Sequence, residues 1–131
     1  MRITGIYAAL AALLIVALAI RVMLGRKGAQ IGIGDGGNHE LSKRIRVHAN
    51  AIEYLPIGLI LLLIIELNQT QPVVVHAFGI TLIIARVLHA FGLSKTSKVS
   101  FGRASGILLT LIALLGMAVL LLWQSLISAS I

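Results

Sequence analysis

Arg46, Asn50 and Glu53 stand at i, i+4 and i+7, so on a helix they line one face. A cation, an amide and a carboxylate in one row make a site for a small zwitterionic ligand. The stretch that carries them, Lys43 to Pro56, opens as a basic helix start. It then runs without a break into Ile57-Gly58-Leu59-Ile60-Leu61-Leu62-Leu63-Ile64-Ile65. A charged cluster is thus carried straight into a segment apolar enough for lipid.

Other polar groups fall near the same level. Arg86 and His89 lie at i and i+3 in a later apolar run, Arg21 ends the first run, and Arg103 opens the last. Ionisable groups within membrane spans are costly and face a bundle interior. Blander roles stay open for each. Arg21, Lys43, Arg44 and Arg103 are also placed to snorkel toward water. Glu53 is also placed to neutralise Arg46 or Arg86 in a structural ion pair. His48 falls off the Arg46–Asn50–Glu53 face, where packing or an interhelix hydrogen bond is expected. His39, His48, His76 and His89 contain no i, i+4 pair, and no cysteine assists them, so no metal site is expected. Ser42, Ser94, Ser97, Ser100 and Ser105 have no His–Asp setting for nucleophilic catalysis. The reactive atom of any chemistry then belongs to a bound molecule. A thiol suits an arginine-rich face, because an adjacent cation stabilises the thiolate and lowers its pKa from ~8.5. The carboxylate would hold that molecule's amino group, and other arginines its carboxylates.

The elements that position these groups follow from composition. Of 131 residues, 59% are hydrophobic and only 11% charged, where a soluble domain has about 25% charged. With a mean hydropathy of +1.05, this implies an all-α integral membrane protein. The length admits about four spans of roughly 20 residues. A four-transmembrane-helix bundle is expected as a single domain over 1–131, with helices at about 3–25, 40–68, 72–92 and 102–126. The uncharged run from Ile3 to Ile20 is long for a signal peptide and lacks a clear cleavage site. The clean apolar part of the second helix, Tyr54 to Ile65, is too short to span alone. It spans only if protein or water shields Arg46 to Glu53. Pro56 removes one backbone bond and is expected to kink the helix just past Glu53. His76 is expected at the outer interface, with Trp123 as an anchor. Gly102-x-x-x-Gly106 and Gly116 permit close helix approach.

The first loop contains Gly32, Gly34 and Gly37 in a formal G-x-G-x-x-G. No strand precedes it, so a tight loop with positive φ is expected instead of a dinucleotide site. Asn38 or Ser42 is expected to cap the next helix.

Net charge is +7, yet no nucleic-acid motif is present. The charge reports topology. Arg21, Arg26, Lys27, Lys43, Arg44 and Arg46 flank the first loop; Arg86, Lys95, Lys98 and Arg103 flank the third. Only Arg2 lies on the other side. The positive-inside rule then puts both loops in the cytosol and both termini outside. A small proton-coupled efflux transporter shares the size and span count. In such chains the membrane glutamate lies in the first helix, which here has no acid between Ile3 and Ile20.

Arg46-x-His48-x-Asn50-x-x-Glu53-x-x-Pro56 and Arg86-x-x-His89 resemble the MAPEG superfamily, membrane-associated proteins in eicosanoid and glutathione metabolism. Gly34-Asp35-Gly36-Gly37 and Glu53-Tyr54-x-Pro56 look like its bacterial branch, which implies the bacterial inner membrane. The resemblance covers nearly the whole chain. It implies a homotrimer with the second helix at its centre and glutathione, as cosubstrate, bound between neighbouring subunits. Arg46, Asn50, Glu53 and His89 match the family's glutathione contacts, Arg86 a family arginine, and Arg21 the arginine of the first helix. Arg103 matches the arginine beside the glutathione sulfur and would stabilise its thiolate. A glutathione transferase or peroxidase acting on hydrophobic electrophiles or lipid hydroperoxides is implied. Leu93, Ala104 and Ile107 replace polar family positions, which makes eicosanoid synthesis improbable. A non-catalytic member binding lipid or a partner protein is the alternative.

Overall fold

The computed structural model describes residues 2–96 and 100–128; Ser97 and Lys98 lie outside the described residues. It consists of four helices: α1 (Ile3–Ala29), α2 (His39–Leu67), α3 (Pro72–Lys95) and α4 (Phe101–Ser128). All four are long and apolar enough to cross a membrane, and no strand occurs among the described residues. α1 runs four residues beyond its expected end, because Arg26 and Lys27 in its last turn suit the negative end of the helix dipole. α2 continues through Pro56 as one helix.

α2 and α3 pack on each other and on both outer helices, whereas α1 and α4 do not touch among the described residues. The core therefore sits along the α2–α3 diagonal. Leu55, Leu62, Ile65, Val75 and Leu82 are fully enclosed there. Each helix still leaves a broad apolar face uncovered, such as Leu13, Val16 and Ile20 on α1 and Leu111, Leu115 and Leu122 on α4. In lipid those faces need no protein partner.

α3 and α4 approach most closely. Gly92 lies against the backbone of Gly102 and Arg103, and Gly106 lies against the His89 nitrogen and the Ala85 carbonyl. No side chain fits between them, so the glycines set the helix separation. Across the bundle, Gly79 gives the Tyr7 ring its place between α1 and α3. The Tyr7 hydroxyl lies 2.7 Å from His76 Nδ1. His76 is thus half-buried and bonded into the bundle within the first turns of α3.

Glu66 closes the end of the bundle opposite the arginines. Its two oxygens accept from the backbone N–H groups of Ile3 (2.6 Å) and Thr4 (2.9 Å). Helix starts leave such donors without intrahelical partners, and Glu66 supplies the cap from another helix. Glu66→Ala should destabilise the fold by about 1–2 kcal/mol. Hydrogen exchange should locate the loss in the first turn of α1.

The α1–α2 loop is a built turn. Gly34, Gly36 and Gly37 have φ of 70°, 56° and 76°, the positive values expected of this segment. Arg26 donates to the carbonyls of Gly32 and Gly34. Asn38 caps α2 by accepting from the Leu41 nitrogen at 3.0 Å. The Gly37 N–H and the Ser42 hydroxyl hold the Asp35 carboxyl below its ordinary range. Because that pKa is depressed on folding, the staple is intact at neutral pH and is lost as pH falls through the folded value.

Candidate functional site

At the arginine-bearing end, α2, α3 and α4 enclose a cleft of about 240 Å³. His39, Ser42, Lys43, Arg46 and Asn50 line it from α2, His89 and Leu93 from α3, and Arg103 from α4. The α2 residues follow at helical steps along one side. The α3 and α4 residues are brought in by the glycine contacts described above. Arg103 is near His89 because Gly92 and Gly106 let the two backbones meet.

Beneath the cleft lies Arg86, only 2% exposed. Its Nη1 donates to Asn50 Oδ1 at 2.8 Å, and its Nη2 reaches the Gly106 carbonyl at 3.5 Å. The guanidinium carbon sits 5.1 Å from the centroid of the Tyr54 ring, a cation–π contact. Nε is buried without a partner. A buried cation held only by neutral groups is unusual, and Asn50 is its shortest contact.

Asn50 has a second bond. Its Nδ2 donates to Glu53 Oε2 at 3.3 Å. One amide therefore links the buried arginine to an exposed carboxylate. Asn50 keeps one N–H and one oxygen lone pair for anything in the cleft.

The predicted residues thus separate by place. Arg46, Asn50, His89 and Arg103 line the cleft. Arg86 and Glu53 join it through Asn50. Arg21 is outside it, with Nη1 donating to Ser94 Oγ on α3 at 3.1 Å. His39, Ser42 and Lys43 were not predicted to line it. They continue the Arg46–Asn50 face toward the start of α2, so the same helical spacing, extended by two turns, would have found them. Leu93 puts an apolar side chain where the family resemblance expects a polar one.

The lining has a clear charge balance. Lys43, Arg46 and Arg103 are cationic, and among the described residues no carboxylate lines the cleft. Among the described residues the ion pair Lys43–Glu40, at 2.7 Å, turns one of these cations partly toward the rim. The cleft suits a ligand carrying negative charge. No group of three or more metal-binding side chains occurs among the described residues.

Four membrane-spanning helices with a cationic, amide-bearing cleft at one end define the class of protein, and residues 4–123 match the MAPEG family. The chain belongs to that family. It is similar to the inner membrane protein YecN of Escherichia coli K12, at 37% identity over 92% of this chain and 91% of the relative. The YecN of Escherichia coli O6:H1 strain CFT073 matches to the same extent.

Proposed function

We propose that the cleft binds glutathione, or a thiol of similar charge, in a homotrimer of the bacterial inner membrane. The observation that carries this reading is the cleft itself, where among the described residues three cations and no carboxylate meet beside Asn50. Arg46 and Lys43 would hold carboxylates of the tripeptide. Asn50 would contribute its remaining amide hydrogen, and Arg103 would stabilise the thiolate. His89 orients the ligand from α3, and Arg86 holds Asn50 in place from below. Both polar loops face the cytosol, which gives the cleft access to a cytosolic thiol.

Glu53 supports assembly. It is exposed on α2, and Ile57, Ile60 and Ile64 continue its face, all exposed. A carboxylate turned toward lipid is costly. A second and third copy packed on this face would shield it and bring it beside a neighbour's cleft, where it would hold the ligand's amino group. Arg21, bonded to Ser94 on α3, lies outside the cleft of its own subunit.

Apolar electrophiles or lipid hydroperoxides partitioned in the bilayer would be the second substrate. The full-length protein in mild detergent should be retained on immobilised glutathione and turn over an aromatic halide. Arg103→Ala should cut turnover by about 10²–10³, the scale for losing one stabiliser of developing charge. Absence of both retention and turnover in folded protein would refute the reading. The apolar Leu93 wall favours a second reading, a non-catalytic member that binds the thiol or a lipid. In that case glutathione raises the unfolding temperature while no thiol is consumed.

A further inference from the structure

We infer that the outer surface where α1 meets α3 holds the headgroup of an anionic phospholipid, at a site separate from the thiol cleft. Arg21 and Ser94 join the two helices there through the 3.1 Å hydrogen bond. Lys95 follows Ser94 directly, and its Nζ sits 4.3 Å from the centroid of the Phe91 ring. Phe91, Ser94 and Lys95 stand at i, i+3 and i+4, so they share one side of α3. The Phe91 contact positions the ammonium, which would otherwise range freely on a flexible stem.

Depth gives these residues their meaning. At 1.5 Å per residue, the apolar run from Pro72 to Phe91 rises about 30 Å, the thickness of a bilayer's hydrocarbon core. Phe91 then lies at the edge of the hydrocarbon and Lys95 one turn beyond, at headgroup level. Ile3 to Ile20 rises about 27 Å by the same measure, so Arg21 reaches that level from α1. A cation bonded to a hydroxyl, with a second cation one residue further along α3, thus stands at the depth of lipid phosphates. Neither cation has an ion pair among the described residues, where the Lys43–Glu40 bridge is the one present.

The face below them is apolar and open. Ile80, Ile84, Val87 and Phe91 are all exposed on α3, and they form a track for an acyl chain leading to the headgroup. Assembly through the Glu53 face of α2 would leave this surface free, because α2 and α3 form the diagonal of the bundle. Charge complementarity selects the occupant. A zwitterionic headgroup gains little from two unpaired cations, whereas one net negative charge gains about 1 kcal/mol from each at the membrane surface, a preference of roughly 10- to 30-fold.

The test is competition between lipids on the full-length protein. Native mass spectrometry and thermal unfolding would be measured in mild detergent with added phosphatidylglycerol or phosphatidylcholine of identical chains. The expected result is a 10- to 30-fold preference for phosphatidylglycerol that shrinks in high salt. Arg21→Ala with Lys95→Ala should abolish the preference, and Arg21→Lys with Lys95→Arg should retain most of it. The comparison of two lipids within one variant separates recognition from any general loss of stability. Glycerol phosphate alone should not stabilise the protein; equal stabilisation by it would assign the site to a soluble phosphate and overturn the lipid. Equal retention of both lipids by the wild type, or an undiminished preference in the double alanine variant, would overturn the site.

Discussion

Gly106→Ala should lower stability by about 1–3 kcal/mol, although it adds a single methyl group. The new carbon would stand 2.5 Å from the His89 nitrogen and 2.7 Å from the Ala85 carbonyl oxygen. Both are backbone atoms of α3 and have no rotamer by which to yield. α3 and α4 must separate, and His89 and Arg103 move apart with them. A displacement of about 1 Å at a binding constellation can cost 10²-fold in turnover. Ligand binding should therefore fall more than stability does. Gly5→Ala supplies the contrast, since nothing lies within 4 Å of its added carbon and helix propensity favours alanine by about 0.8–1 kcal/mol. Thermal unfolding and glutathione retention of the two variants would check this, and an unchanged Gly106→Ala protein would refute the seam as the element that sets the site.

That seam explains which parts of the molecule are legible in the sequence. The four helices follow from hydropathy alone, because every span must satisfy its own backbone in lipid. Gly102-x-x-x-Gly106 signals close approach but does not say to which helix. The partner, with Gly92 and Ala85 at the contact, emerges only from the packing. Arg46, Asn50, His89 and Arg103 were visible as polar residues at one depth, and the cleft gathers all four. Arg86 and Glu53 were visible for the same reason, yet one is buried and the other exposed, an outcome that depth cannot distinguish. Arg21 shares the depth but faces α3's outer side, since its rotation about α1 is set by the packing of Ala11 and Leu18. Glu66 carries a signal that hydropathy obscures. It is an acid at the apolar end of α2, and its role depends on an α1 terminus sixty-two and sixty-three residues away.

Asn50→Leu should be the most damaging substitution in the polar network, and its damage should be repairable. Leucine keeps the branching and heavy-atom count of asparagine, though it is bulkier, but removes the 2.8 Å acceptor of Arg86. The guanidinium then remains buried with the Tyr54 ring and two longer carbonyl contacts. Removing the neutral acceptor of a buried charged donor costs about 1.5–3 kcal/mol, at the lower end here because those contacts persist. Arg86→Met in the same chain removes the charge itself and fills the space with a flexible apolar side chain. The double variant should recover most of the lost stability, a coupling that a double-mutant cycle in detergent would measure. Recovery should not extend to binding. With Asn50 gone, the cleft loses its amide and Glu53 loses the donor that orients it. A stable Asn50→Leu, Arg86→Met protein that no longer retains glutathione would separate the two roles of Asn50, as support for a buried cation and as part of the ligand's seat. A double variant no more stable than Asn50→Leu would mean that Arg86 draws its stability from elsewhere, and a double variant that still retained glutathione would remove Asn50 from the ligand set.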